Sequence, residues 1–332
     1  MKKVVLGLSG GVDSAVAARL LQQSGYAVSA LYLDIGTAEA REDACASAAA
    51  LGVDLAVEDV AEALERLVCA PFARSYRCGE TPNPCILCNP AVKFAALCAH
   101  ADAVGAEYVA TGHYARAENG VLLRGMPAND QSYMLCRLTR AQLSRLVLPL
   151  GGYEKAQVRA LAREFSVPVA DKPDSMEICF VPDKDYAGWL RRRGVNPPPG
   201  EFVRDGVVVG RHEGIHRWTV GQRIPGVYDG EKLYVQSISP EDNRIAVCTD
   251  AQLHRTEFFA RDFNWLIPSP AAAQRGSVKV RHSRSNEPAC TVYPLPDGGV
   301  RIVTDTPVRA PARGQSAVVY DGARVLGGGF IV

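Results

Sequence analysis

The stretch KVVLGLSGGVDSAVAARLLQQSG, residues 3–25, decides the fold. Its opening, KVVLGL (3–8), is a short continuous apolar run, which predicts a buried strand. From Asp13 apolar residues recur at helical spacing until Gly25, which predicts a helix over 13–25. Between the two lies GLSGGVDS, Gly7 to Ser14. Glycines let the backbone turn tightly and bring its N–H groups close to an anion. Ser9 and Ser14 add hydroxyl donors, and the helix N-terminus adds a partial positive charge. Strand, glycine turn and helix in this order form a phosphate cradle. It is not the Walker pattern, because no Gly-Lys-Ser/Thr follows, and G-x-G-x-x-G is absent. A glycine turn without a ligand would account for Gly10 and Gly11 alone, but not for the whole S-G-G-V-D-S string in this context.

Working outward, AVSALYLD (27–34) and EYVATG (107–112) read as further strands. Residues 41–53, 60–76, 91–106 and 153–167 carry helical patterns. This alternation means a parallel sheet covered by helices. After about residue 185 the character changes. GVNPPPGEF (194–202) is a proline-rich boundary, and short β-rich runs with frequent turn signals follow, among them KLYVQSIS (232–239), SVKVRH (277–282) and VRIVT (300–304). Helical patterns are nearly absent there, so the second half is expected to be small barrels or sandwiches, with a break near 248–252. The expected class is α/β: a parallel-sheet nucleotide domain over 1–185, a small β-rich central domain over 186–249 and a C-terminal β-barrel over 250–332.

The chain has 332 residues, enough for two or three cores, and 47% are hydrophobic, which argues against disorder. No run of about 18 apolar residues is present, so no membrane span is expected. The N-terminus reaches Gly7 and Ser9 too soon for a signal peptide. A cytoplasmic location is expected, with the ten cysteines reduced or reactive rather than structural disulfides. Net charge is +1, but residues 1–185 hold 18 Lys+Arg against 22 Asp+Glu, a net of −4. Residues 186–332 hold 19 against 14, a net of +5. The acid-free run RGSVKVRHSR (275–284), with Arg275, Lys279, Arg281 and Arg284, reads either as a solvated strand face or as a phosphate-binding stripe.

Cys45, Cys69, Cys98, Cys136, Cys248 and Cys290 sit in apolar or β patterns and are expected to be small core residues. Cys78 is ambiguous. Cys85 and Cys88 form a lone C-x-x-C on TPNPCILCN (81–89), a proline-constrained loop suited to presenting thiols. No second C-x-x-C or nearby His pair completes a zinc site. Cys179 lies in DSMEICF (174–180), at the end of the α/β half.

The phosphate loop resembles the PP-loop of ATP pyrophosphatases, the adenine nucleotide alpha hydrolase-like fold. The resemblance implies cleavage of ATP between its α and β phosphates, with Asp13 holding Mg²⁺; the plain role of Asp13 is N-terminal helix charge. SGGVDS, TPNPCILCN, ATGHYAR, NDQSYMLCRL, DSMEICF, TVGQR and RGQSAVVYDGARVLGGGFIV occur in one order. Together they resemble the tRNA-specific 2-thiouridylase family from residue 3 to the C-terminus, which implies ATP-dependent 2-thiolation of the wobble uridine of tRNA. By position, Gly7, Leu8, Ser9, Gly10, Gly11, Val12, Asp13 and Ser14 would hold ATP, with Leu33 and Gly112 lining the adenosine pocket. Cys88 and Cys179 would be the catalytic pair, Cys179 carrying a persulfide. Asn83, Pro84 and Cys85 would surround the target base. His113, Asn129, Asp130, Gln131, Arg281, His282 and Gln315 would fall at tRNA contacts. A cysteine desulfurase or sulfur relay protein would donate the sulfur.

Three departures from the family pattern stand out. Cys85 occupies a position often held by Asp, Asn129 one commonly held by Lys, and the segment after Asp34 is short. The first raises a three-thiolate set, Cys85, Cys88 and Cys179, suited to a [4Fe–4S] cluster with one open iron. A persulfide–disulfide route using Cys88 and Cys179 is its rival. Two other classes compete for the whole chain. One is a PP-loop synthetase of amidotransferase type acting on a small molecule, which would not depend on tRNA. The other is a non-catalytic RNA-binding protein, in which Cys179→Ser would be harmless.

Overall fold

The computed structural model describes residues 1–173, 178–181, 183–228, 230–282 and 287–332. The chain forms two compact units: Met1–Val68, Cys85–Met176 and Ala323–Val325 make the first, and Cys69–Pro84, Glu177–Gly322 and Leu326–Val332 the second. Along the chain run β1 (Lys3–Gly7), α1 (Val12–Gln23), β2 (Ala27–Asp34), α2 (Ala38–Leu51), β3 (Leu55–Asp59), α3 (Ala61–Leu64), α4 (Ala70–Arg77), α5 (Pro84–Cys88), α6 (Phe94–Ala103), β4 (Tyr108–Ala110), β5 (Ala115–Glu118), β6 (Val121–Arg124), α7 (Arg140–Ser144), β7 (Leu146–Val147) and α8 (Lys155–Glu164).

The first unit is built on a parallel sheet in the order β3-β2-β1-β4-β7. β1 lies in the middle, with Lys3 opposite Ala27 and Gly7 opposite Leu31 on one side, and Val4 opposite Tyr108 and Leu6 opposite Ala110 on the other. Val4, Leu6, Ala15, Val16, Ala17 and Leu21 are buried in one core shared with Leu150, Val158 and Ala162. Each fully buried Val or Leu contributes about 1.5–3 kcal/mol, so this strand–helix contact fixes where the glycine loop emerges.

The second unit carries α9 (Tyr186–Arg192), β8 (Gly200–Arg204), β9 (Val207–His212), β10 (Arg223–Tyr228), β11 (Lys232–Ser239), β12 (Arg244–Cys248), β13 (His254–Trp265), β14 (Gln274–Lys279), β15 (Ala289–Pro294), β16 (Val300–Arg309), β17 (Ser316–Asp321) and β18 (Arg324–Ile331). One sheet runs β10-β11-β12-β8-β9 around Phe202, Ile224, Leu233, Val235 and Ile245. Six strands of the other, eight-stranded sheet, β13-β16-β15-β14-β17-β18, close through a β13–β18 pairing, which makes a barrel around Val278, Cys290, Val292 and Ile302.

Two features differ from the sequence expectation. Only residues 81–83 of TPNPCILCN are loop: Pro84 opens α5, where its fixed φ and missing N–H cost nothing, so Cys85 and Cys88 lie on a helical turn. A π-helical turn, Asn89–Lys93, then leads into α6. Pro90 has no N–H to return to the preceding turn, which accounts for the irregularity. A second π turn, Glu65–Cys69, likewise lies just before a proline, Pro71. The other difference is α9, a helix where helical patterns were nearly absent. The continuous segment Pro84–Ala103 has the length and apolarity of a membrane span, with mean hydropathy 1.2. Its residues Phe94, Leu97 and Ala101 are buried in the first unit.

Candidate functional site

The loop Gly7–Ser14 leaves the carboxyl end of the central strand. Chain order reverses there, because β2 flanks β1 on one side and β4 on the other, and such switch points open a crevice at the sheet edge. Leu33, half-buried near the end of β2, and Gly112, just past β4, border the same edge. Gly10 has φ +74°, and a Cβ there would stand 2.5 Å from the Ala40 carbonyl oxygen. A Cβ on Gly112 would stand 2.9 Å from the backbone of Asp13 and Ser14, so only glycine lets α1 begin this close to β4. Ser14 is buried and fastens the loop. Its hydroxyl donates to Gly11 O at 3.0 Å and accepts from Ser9 N–H at 3.2 Å. Ser9 is exposed. Gly11 caps α1 without a side chain, so the first-turn N–H groups face outward uncapped, which is the chemistry of an anion site.

Asp13 is engaged from two sides. Lys155 Nζ lies 2.7 Å from each carboxylate oxygen, and the Tyr114 hydroxyl donates to Oδ1 at 2.7 Å. Across the loop, Lys172 pairs with Asp43 and, at 3.7 Å, with Glu39, and its ammonium pKa is raised by the Asp43 hydrogen bond. Sequence reading missed Lys155, Tyr114 and Lys172. Lys155 and Lys172 read as solvated helix and turn residues, and no local pattern pairs positions so far apart in the chain.

Several expected tRNA contacts turn out to hold backbone. Asp130 accepts from Gly125 N–H at 2.9 Å, Ser132 N–H at 3.0 Å and the Ser132 hydroxyl at 2.9 Å. Gln131 Oε1 accepts from Tyr114 N–H at 3.0 Å. Asn129, with its amide oriented to satisfy both ends, accepts from Lys155 N–H at 2.6 Å and donates to Ala128 O at 3.1 Å. His113 meets the Thr111 hydroxyl through Nδ1 at 2.7 Å and stacks on Phe94 with centroids 6.2 Å apart. Burial, reinforced by Lys93, lowers its pKa well below the usual histidine range, so the ring is neutral at pH 7.

Ile86 on α5 and Asn89 at the start of the π turn are buried, and Asn89 Nδ2 donates to Met134 O at 2.8 Å. Cys85 is exposed and Cys88 half-buried. Their spacing of three places both on the outer face of one helical turn. The remaining cysteines correct the core expectation in part: Cys69, Cys136, Cys248 and Cys290 are buried, but Cys45 is exposed and Cys98 half-exposed. Both of these sit on helices near the ends of apolar stripes, where sequence alone does not say which side faces water. Cys78 is exposed. Burial pushes the Cys136 and Cys290 thiols up to about 12.

Cys179 belongs to the second unit and is exposed. The next residue, Phe180, meets Phe72 and Trp189 at 5.4 and 5.2 Å between ring centroids. Most of DSMEICF, residues 174–177, lies outside the described residues. Among the described residues no group of three or more His, Cys, Asp or Glu side chains is placed to hold a metal ion.

Also in the second unit, Thr81 joins three sequence motifs. Its N–H donates to Arg313 O at 2.9 Å, its hydroxyl to Thr219 Oγ1 at 3.1 Å, and its carbonyl accepts from Gln315 Nε2 at 2.7 Å. Asn83 is half-buried and Pro84 buried. The described cations of the basic run 275–284 are paired within the second unit. Arg275 is paired with Asp305, its Nη1 at 2.8 Å, and Lys279 with Glu287 at 3.6 Å. Arg281 Nη2 donates to Val220 O and Ala310 O at 2.6 and 2.8 Å. His282 is exposed, and Arg284 lies outside the described residues.

Comparison with known proteins adds the following. Three family profiles match in succession: a tRNA methyl transferase HUP domain over residues 2–183, a tRNA methyl transferase PRC-barrel domain over 192–249, and an aminomethyltransferase beta-barrel domain over 255–331. The tRNA-specific 2-thiouridylase MnmA of Geotalea uraniireducens (strain Rf4) is 39% identical, over 99% of this chain and 95% of that protein. The protein of the same name from Pelotomaculum thermopropionicum is 40% identical, over 99% and 97%. Among solved structures, a 4-thiouridine synthetase–RNA complex with bound ATP aligns over 58% of this chain and 50% of that one, at 18% identity and TM-score 0.39.

Proposed function

We infer the activity from a premise the comparisons supply: this chain belongs to the tRNA-specific 2-thiouridylase family. We read it as a cytoplasmic, ATP-dependent tRNA sulfurtransferase acting at C2 of the wobble uridine. The observation that carries the reading is the uncapped start of α1 at the carboxyl edge of the central strand, in a chain with this relationship.

The chemistry runs in two stages. The C2 oxygen of uracil is a poor leaving group. Attack of that oxygen on the α-phosphorus of ATP forms a P–O bond and expels pyrophosphate, which makes AMP the later leaving group. Gly7–Ser14 would cradle the phosphates, with Leu33 and Gly112 beside the adenosine. Magnesium fits this site as a phosphate-held ion with Asp13 as its protein ligand, and it would neutralise charge on the polyphosphate. The terminal sulfur of a Cys179 persulfide, charged by a cysteine desulfurase or relay protein, then attacks C2 and AMP departs. Cys88 thiolate attacks the Cys179 sulfur, which forms a disulfide and leaves the thiocarbonyl on the base. An external thiol reductant returns both cysteines to thiols.

Asn83, Pro84 and Cys85 would border the base, and neutral His113 could exchange hydrogen bonds with RNA without adding charge. His282 is the exposed residue of the expected tRNA set. Asn129, Asp130, Gln131, Arg281 and Gln315 would act by shaping the surface they hold. A [4Fe–4S] cluster would need Cys85, Cys88 and Cys179 as ligands.

The test is thiolation of a tRNA transcript by anaerobically purified protein, with iron, labile sulfide and labelled ATP products measured. AMP and pyrophosphate should form in step with 2-thiouridine. Cys88→Ser and Cys179→Ser should abolish thiolation while Cys85→Ser retains it. ADP and phosphate as sole products, or turnover indifferent to tRNA, would overturn the reading. Loss of iron and activity together in Cys85→Ser would replace the disulfide route with the cluster.

A further inference from the structure

We propose that Lys155 is a binding group for the polyphosphate of the nucleotide, held in position by Asp13 and Tyr114. The proposal rests on the reading of Gly7–Ser14 as an ATP site and adds a residue to it.

The argument is electrostatic. Backbone N–H groups and the helix start favour negative charge at this loop. Asp13, the second residue of α1, places a carboxylate at the same spot. A carboxylate beside a triphosphate is repulsive, so a protein cation between them is favourable beside the Mg²⁺ assigned to Asp13 and essential without it. Lys155 is positioned to be that cation, 2.7 Å from both Asp13 oxygens. Neither partner is sealed off: the Lys155 side chain retains 25% of its exposure and that of Asp13 30%. An ammonium has three donors, so it can serve a carboxylate and phosphate oxygens together.

The lysine is also pre-organised. It is the first residue of α8, whose N-terminus is closed by a capping box between Glu154 and Gln157. Its backbone N–H is taken by Asn129 at 2.6 Å. Its Nζ stands 5.5 Å from the centre of the Tyr114 ring, while the Tyr114 hydroxyl holds the same carboxylate. Tyr114 is only 2% exposed, so this support is fixed in the core. Ordering a lysine forfeits rotamer freedom, and a partly exposed ion pair returns little to folding. Loss of Lys155 should therefore register in ligand binding more than in stability.

The test is calorimetric titration of the full chain with ATP and, separately, with adenosine, each in Mg²⁺ and in EDTA. Lys155→Met should weaken ATP binding by tenfold or more in both media, leave adenosine binding unchanged and barely move the thermal midpoint. Lys155→Arg should recover most of the ATP affinity. If Lys155→Met does not fold, Lys155→Gln keeps a hydrogen bond to Asp13 without the charge and should show the same selective loss. Unaltered ATP affinity in the neutral variants, or tighter binding in Mg²⁺ because the lysine merely excludes metal from Asp13, overturns the proposal. Wild-type protein that binds no ATP overturns the ATP-site reading itself and Lys155 with it. Wild-type binding with indifferent variants overturns Lys155 alone.

Discussion

Asn89 donates its side-chain amide to the Met134 carbonyl at 2.8 Å, and this bond anchors the end of the helical turn that carries Cys85 and Cys88. Asn89 is 1% exposed and lies one residue past Cys88, at the π turn that joins α5 to α6. Asn89 follows Cys88 directly, so anchoring it fixes the backbone at the end of α5, the turn that carries Cys85 and Cys88. Asn89→Ala would strand the Met134 carbonyl in the interior, at a cost of about 1–3 kcal/mol. The expected result is a lower urea midpoint together with slower thiolation at saturating tRNA and ATP. Normal turnover in the destabilised variant would mean that Cys88 does not depend on this anchor.

The basic run 275–284 calls for a different experiment from the one its charge suggests. Had Arg281 been a plain phosphate contact, its loss would flatten the log–log salt dependence of tRNA binding by roughly one unit. Its guanidinium instead donates to the Val220 and Ala310 carbonyls, while Arg309 reaches Gly221 O at 3.3 Å close by. Arg281→Ala is expected to cost about 1–3 kcal/mol of stability by orphaning those carbonyls. It should change the salt slope by well under one unit. Arg281→Lys should recover little, because one ammonium cannot reproduce the planar fork. Thermal unfolding and filter binding across salt separate the two roles.

The loop and the sheet were legible because they are local: a strand, a glycine turn and a helix announce themselves within 23 residues. The strand Ala27–Asp34 falls where alternation placed it. What escaped was decided by contacts distant in sequence. Lys155 finds Asp13 across 142 positions, and Gln315 finds Thr81 across 234. Cys85 and Cys88 read as loop residues because proline dominates the motif, yet proline is compatible with a first helical turn. Asp130 and Gln131 stood out as motif residues, but nothing in the motif says that their side chains are spent on Ser132 and Tyr114.

Three histidines make stability depend on pH. Desolvation lowers the pKa of His113, with Lys93 adding to it. It also lowers His212, against the pull of the Asn243 carbonyl and Glu213, and His216, where Arg217, Arg191 and His212 add. A histidine depressed in the folded state is protonated first in the unfolded chain, whose pKa is about 6.5. The unfolded state therefore binds more protons below that value, and stability falls as pH drops through about 6.5 toward the folded pKa values. Urea midpoints measured from pH 7.5 to 5 should decline. His212→Gln and His216→Gln should each remove part of the decline, as should His113→Gln. An unchanged slope in all three variants would place the protons elsewhere.

Gly10 and Gly25 separate two costs that a glycine substitution can carry. Both have positive φ, +74° and +81°. Around Gly25 nothing stands within 4 Å of an added Cβ, so Gly25→Ala should cost only the backbone term, about 1–2 kcal/mol. At Gly10 the same methyl would meet the Ala40 carbonyl at 2.5 Å and the Asp43 Cβ at 3.0 Å, both belonging to α2. Backbone cannot yield as a flexible side-chain tip can, so the loop must move away from α2. That movement displaces the N–H groups read as the phosphate cradle. Gly10→Ala is expected to lose more stability than Gly25→Ala and, unlike it, to lose ATP binding by tenfold or more. Calorimetric titration of both variants with ATP checks this. Equal ATP affinity in the two would mean that the loop tolerates the shift, and that the cradle does not depend on the close approach of Gly10 to α2.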